Sequence, residues 1–363
     1  MNRRGYNFGA GPAMLPESIL QEAQAELLNW KNLGMSVLEV GHRTEPFVHL
    51  MQQAEADLRD ILAIPNDYHV LFLPFPARTQ FAMVPLNLLA PGQTAGYYIT
   101  GLWSQMAYQE ALRVSTAYCV ASSEVSAFCQ PIQVAPAVLP KTTKYVYYTP
   151  NETVHGVRLD RAALDDSLAC PVVADMTSCL LSEPLNVRDY GLIFAGAQKN
   201  IAPAGLTLVI MKADLLPDSP INPSIPTMLD YATHVNSSSL YATPGVFQCY
   251  MAAKMFGWVK QQGGVVELYR ANCRKADKLY RFIDASSAYE CRVDPTIRSR
   301  INVCFFLKDT SREAEFLQAA SARGLYALKG HRLVGGLRAS LYNAMPEAGV
   351  DALIDFMQAF EGM

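Results

Sequence analysis

Apolar residues recur at spacing four through Pro16–Trp30 (Ile19, Ala23, Leu27), which predicts a helix with one buried face, and the pattern repeats over Phe47–Leu62. Short apolar runs follow at His69–Leu73, Ala95–Ile99, Tyr145–Tyr148, Pro171–Ala174, Leu192–Ala195 and Leu206–Met211. They read as strands, and helical stretches alternate with them. That alternation predicts a mostly parallel sheet with helices on both faces, an α/β architecture. Long helices are expected over Phe247–Gln261 and Val265–Asp284, separated by Gly263-Gly264. An α+β pattern closes the chain: Ile301–Leu307, a helix near Arg312–Arg323, Leu337–Tyr342, and a last helix from Val350. The expected division is a large domain over 16–262 and a smaller one over 263–363, with 1–15 grouped with the latter.

Composition narrows the class. With 363 residues, half of them hydrophobic and 17% charged, the chain can bury a large core and leaves little room for long-range disorder. A formal net charge of −3 gives no electrostatic case for nucleic acid or an anionic membrane. No apolar stretch reaches the length of a membrane span, and Asn7 and Gly11-Pro12 interrupt any signal-peptide core after Arg3 and Arg4. The expectation is a cytoplasmic enzyme. Eight cysteines show no C-x-x-C pairing and read as reduced, mostly buried thiols; no histidine–cysteine cluster points to a metal site.

Two strand ends carry candidate chemistry. The run Gly191–Phe194 closes on Ala195-Gly196-Ala197 and then Gln198-Lys199. A lysine delivered there is desolvated, which lowers its pKa and suits a Schiff-base nucleophile, although the segment alone also fits a surface lysine in a turn. Pro171–Ala174 ends in Asp175, which alone also fits a helix or turn cap. A parallel sheet binds ligands at the carboxyl ends of its strands, so both groups emerge at one edge if both runs belong to one sheet. Pyridoxal phosphate chemistry needs this pair: an amine for the aldehyde and an acid to keep the ring nitrogen protonated.

Further candidates are basic or aromatic. Gly-His-Arg occurs at 41–43 and again at 330–332, and Arg338 follows Gly335-Gly336. Several arginine forks together suit a substrate with more than one anionic group; surface arginines are the alternative. Trp103, just past the Ala95–Ile99 strand, offers a ring to stack on a flat cofactor or to fill core. Thr153, in Pro150-Asn151-Glu152-Thr153, sits near the same edge or in a simple turn.

These segments, with Asn7-Phe8, Gly11-Pro12-Ala13-Met14-Leu15-Pro16, Glu39-Val40-Gly41-His42-Arg43, Ala195–Asn200, Lys329–Arg332 and Gly335–Ser340, resemble the phosphoserine aminotransferases nearly end to end. The resemblance implies the pyridoxal-phosphate-dependent transferase fold type I, with a mostly parallel seven-stranded sheet. It also implies a homodimer with active sites at the subunit interface and small-molecule substrates. The implied reaction exchanges an amino group between glutamate and 3-phosphohydroxypyruvate on the route to serine; many bacterial members of the family also serve pyridoxine synthesis. By the same resemblance Lys199 is the Schiff-base lysine with Gln198 beside the cofactor, Asp175 the pyridinium partner, Trp103 the stacking ring and Thr153 a donor to the ring hydroxyl side. Arg338 corresponds to the clamp on the substrate carboxylate. His42, Arg43, His331 and Arg332 correspond to the cluster for the distal phosphate or carboxylate, and Thr243 to a residue reaching the partner's cofactor phosphate.

Three departures from the family pattern stand out. A glycine-rich cup is replaced by Pro74-Phe75-Pro76-Ala77-Arg78-Thr79-Gln80, in which two prolines lack backbone donors and Phe75 and Ala77 are expected to narrow the approach. Arg78 and the following helix N-terminus keep an anion site open. Ala242 stands where the family has asparagine, and Gly9-Ala10 replaces a pair whose serine contacts substrate. The alternatives to a phosphoserine transaminase are a divergent transaminase or lyase with a shifted substrate, or a weakly active paralogue that binds.

Overall fold

The computed structural model describes residues 4–133, 139–164, 170–216 and 221–362. A two-residue strand, β1 (Tyr6–Asn7), precedes the central sheet of β2 (Tyr68–Leu73), β3 (Thr94–Ile99), β4 (Ala117–Ser122), β5 (Thr143–Tyr148), β8 (Val172–Asp175), β9 (Leu192–Gly196) and β10 (Thr207–Lys212). Between β5 and β8 lies a short hairpin, β6 (Asn151–Glu152) with β7 (Val157–Arg158). The sheet order is β2-β10-β9-β8-β5-β3-β4. β10 runs antiparallel to both neighbours, and the remaining pairs are parallel.

The six apolar runs are six of these seven strands. The seventh, β4, was not legible as a strand because it lies at the sheet edge with every residue at least partly exposed, so nothing forces a continuous apolar run. Side chains alternate across the sheet with period two. Phe72, Tyr98, Val146, Ile193 and Leu208 enter a core with α2 (Glu45–Leu62) and α6 (Val246–Gln261). Leu71, Tyr97, Tyr145, Leu192 and Val209 enter a core on the other face with α3 (Gln80–Leu88), α4 (Leu102–Val114) and α5 (Tyr231–Asn236).

The first helix, α1 (Glu17–Glu26), stops four residues short of the expected Trp30, which sits instead in a tight turn where Lys31 has φ 50°. Gly263 and Gly264, at φ +86° and +81°, break the chain between α6 and α7 (Gly264–Ala285). The first turns of α7 still pack on the large core through Val265 and Leu268. Its later residues, Ala276, Leu279 and Ile283, join a third core with β11 (Tyr289–Glu290), β12 (Asn302–Leu307), α8 (Glu313–Ala322), β13 (Leu325–Tyr326), β14 (Leu337–Ser340), α9 (Glu347–Glu361) and Phe8. Apolar packing therefore changes hands inside α7. All eight cysteines are free thiols, but only Cys179, Cys249 and Cys304 are buried, so the expectation of mostly buried thiols is corrected. Among the described residues no helix is long and apolar enough to cross a membrane.

Candidate active site

The carboxyl ends of β2, β3, β5, β8 and β9 share one edge of the sheet, and the loops leaving them enclose a cavity of ≈ 210 Å³. Lys199 comes off β9 through a tight turn in which Ala197 donates to Leu206 O and Ile201 to Ala197 O. Its side chain is buried, and Nζ donates to Thr153 Oγ1 at 2.5 Å and lies 5.4 Å from the Trp103 ring centroid. Asp175 ends β8, also buried, with Oδ1 accepting from the Thr177 N–H at 2.9 Å.

Burial sets the electrostatics. Desolvation lowers the Lys199 pKa to about 8; Asp175 pulls it back up and Arg338 pushes it further down. Desolvation raises the Asp175 carboxyl above its ordinary value, opposed by Thr177 and by Lys199. The two groups thus stabilise each other's charged forms across the cavity.

Seven expected residues line this cavity: Ala77, Arg78, Trp103, Thr153, Asp175, Gln198 and Lys199. Arg338 sits one layer behind, with Nη1 donating to Thr153 O at 3.3 Å. His331 and Arg332 ride on a loop closed by Gly330 N donating to Gly336 O at 2.8 Å. A Cβ on Gly330 would lie 2.1 Å from Gly335 O, so this loop needs glycine there. Burial, Arg338 and Arg332 together lower the His331 pKa, so the imidazole and the two guanidinium groups share one neighbourhood and the imidazole favours its neutral form. His42, Arg43, Ala242 and Thr243 are not brought to this chain's cavity. Arg43 is exposed, and the buried His42 Nε2 has no hydrogen-bond partner.

The altered cup is partly different from expectation. Ala77 lines the cavity, but Phe75 does not: its ring turns into the α3 side core and meets His234 edge-on at 6.0 Å. Phe75 therefore leaves the approach open. Arg78 stands over the Trp103 ring at 5.4 Å, and the turn Ala77–Thr79 leads into α3, whose N-terminal N–H groups face an anion favourably. Sequence reasoning missed Thr149, Asn151, Thr177 and Ser178, which also line the cavity. Each lies within three residues of a strand end, so extending the strand-end rule by one turn of chain finds them. Among the described residues, no group of three or more His, Cys, Asp or Glu is arranged to hold a metal ion.

The enclosed space is bounded by an aromatic face, a buried carboxylate, a desolvated amine and a helix N-terminus. The Trp103 indole N–H is buried there without a partner. This donor set fits a flat, phosphorylated pyridine aldehyde.

The family model for aminotransferase class-V matches residues 5–353. A phosphoserine aminotransferase of Legionella pneumophila is 58% identical over 360 residues, 99% of each chain. The solved phosphoserine aminotransferase of Bacillus circulans subsp. alkalophilus superposes with TM-score 0.95 at 41% identity, covering 99% of both chains. A PLP-bound phosphoserine aminotransferase of Trichomonas vaginalis gives TM-score 0.90 at 36% identity, covering 98% of this chain and 100% of that one. The chain belongs to the class-V aminotransferases and, within them, to the phosphoserine aminotransferases.

Proposed function

We propose that the protein is a pyridoxal-phosphate-dependent phosphoserine transaminase, moving an amino group between glutamate and 3-phosphohydroxypyruvate in serine biosynthesis. The observation that carries this is Lys199 desolvated between Thr153 and Trp103, with Asp175 buried in the same cavity. Bound there, the cofactor supplies a conjugated ring that takes up the electron pair left at the substrate Cα. Asp175 would hold a proton at the ring nitrogen, and Trp103 would shield the ring from water. Lys199 Nζ, readily neutral because burial lowers its pKa to about 8, takes the Cα proton. Arg338 holds the substrate carboxylate; His331 and Arg332 favour a second anionic group.

His42, Arg43 and Thr243 point to a homodimer in which each chain completes its partner's cavity. We place the cofactor unit at 16–262, the smaller unit at 1–15 with 263–363, and the enzyme in the cytoplasm, and extend its substrates to a phosphorylated hydroxythreonine for pyridoxine synthesis. The test is to assay the purified protein with glutamate and 3-phosphohydroxypyruvate. Formation of O-phosphoserine and 2-oxoglutarate is expected; a holoprotein that turns over neither direction would overturn the proposal.

A further inference from the structure

Glu152 is fully buried, and a buried carboxylate is costly unless strongly hydrogen-bonded. Its partners come from the first turn of α4. Oε2 accepts from the Trp103 N–H at 3.0 Å; Oε1 accepts from the Ser104 N–H at 2.8 Å and from Ser104 Oγ at 2.6 Å. His155, on the same hairpin, accepts from the Leu102 N–H at 3.4 Å through Nδ1. Three N–H groups that a helix leaves without internal partners are thus taken by one hairpin. An ordinary cap is a small side chain next to the helix start, whereas this acceptor arrives from 49 residues further along the chain. Room is made for it at Gly101. The φ there is 175°, extended backbone open to any residue, but a Cβ would fall 2.5 Å from the Glu152 carboxyl carbon.

The two elements so joined both touch Lys199. The hairpin supplies Thr153, and the helix turn supplies Trp103. We propose that Glu152 is a positioning residue for the cofactor site, clamping the start of α4 to the hairpin so that Trp103 and Thr153 keep a fixed spacing around Lys199. This deepens the transaminase reading and rests on it. Burial raises the Glu152 pKa and the Ser104 and Trp103 donors oppose it, the balance standing at about 7, so the helix turn favours the charged form of the clamp against its burial.

The test uses Glu152→Gln, which keeps the shape but turns an NH2 toward an N–H donor. Gly101→Ala is the second variant; it pushes on the carboxylate without touching its charge. Protein labelled with 19F-tryptophan gives one resonance for each of three tryptophans, and loss of a line in Trp103→Phe assigns that residue. In the apo-protein both variants should move the Trp103 line and leave those of Trp30 and Trp258 in place. The pyridoxal phosphate dissociation constant should rise on the order of tenfold, with KM for glutamate changed much less than kcat. A Trp103 line that stays put overturns the proposal. So does a line that moves while cofactor affinity and the kcat-to-KM split stay as in the parent, since that reduces Glu152 to a cap. If the unmodified protein binds no pyridoxal phosphate, the transaminase reading fails and this role falls with it, while the 19F lines still report whether Glu152 holds Trp103.

Discussion

Thr153 Oγ1 and Lys199 Nζ meet at 2.5 Å although 46 residues separate them in the chain. The contact exists because β5 and β9 end at the same edge, where the hairpin after β5 carries Thr153 and the turn after β9 carries Lys199. It fixes the amine on the cavity side of the sheet, beside Trp103 and in the field of Asp175.

Covalent trapping checks the amine directly. Borohydride reduction of the pyridoxal-phosphate-loaded protein, followed by peptide mapping, should find the label on Lys199. Lys212 is partly exposed and paired with Asp214, and Lys329 does not line the cavity. Label on either of those would remove Lys199 from its assigned role.

The pH dependence of cofactor loading has a definite sign. Condensation with an aldehyde needs the neutral amine, and burial brings the Lys199 pKa down to about 8. The rate of pyridoxal phosphate uptake by the apo-protein should climb with pH toward about 8 and level off above it. Arg338 lowers that pKa, so Arg338→Ala should move the midpoint upward. Stopped-flow absorbance gives both profiles, and a midpoint that stays near 8 in the variant would show that Arg338 does not act on the amine.

The parts of the site that could be read from the sequence are those tied to strand ends. Asp175 and Lys199 follow apolar runs, and buried parallel strands write such runs plainly. Trp103 and Thr153 were legible as candidates by the same rule, while their roles came from the family resemblance. Glu152 stayed hidden because a carboxylate before a threonine looks like any turn residue; only the approach of α4 shows what it accepts. Phe75 misled for a related reason. Its bulk was readable, but the direction of its ring depends on His234, far along the chain. The edge strand β4 escaped because half-exposed strands carry no apolar run.

On the proposed function, the guanidinium groups of Arg332 and Arg338, gathered around His331, select the charge of the substrate. Arg338→Ala should reduce kcat/KM for every amino donor, because all share the α-carboxylate. Arg332→Ala should act mainly on the phosphorylated substrate. A hydrogen bond to a charged group contributes roughly 1.5–3 kcal/mol, so each loss should be on the order of tenfold to a hundredfold. Steady-state kinetics with phosphoserine and alanine separates the two, and an equal effect of Arg332→Ala on both substrates would place that arginine away from the distal group.

Lys275 gives the last prediction, on stability. Its ammonium is buried in α7 and donates to Leu341 O, Tyr342 O and Met345 O at 3.1, 2.8 and 2.9 Å. Those carbonyls belong to the turn after β14, the strand that carries Arg338. The same turn docks on the large unit through Asn343, whose N–H donates to Asn200 Oδ1 at 3.1 Å. Burial lowers the Lys275 pKa to about 7, opposed by Glu347. In the unfolded chain the same lysine returns to the ordinary range, so between about 7 and about 10.4 the unfolded state binds the extra proton. Stability contributed through this group must therefore rise with pH across that window, and the cost of burying the charge is felt in full below it. Lys275→Met removes the titration along with the three donors. Urea unfolding of both proteins should show the variant less stable, with the gap wider at pH 8.5 than at pH 6.5 by about 2 kcal/mol. Parallel stability curves over that range would mean that the three carbonyls hold Lys275 charged throughout, and that burial does not govern its proton.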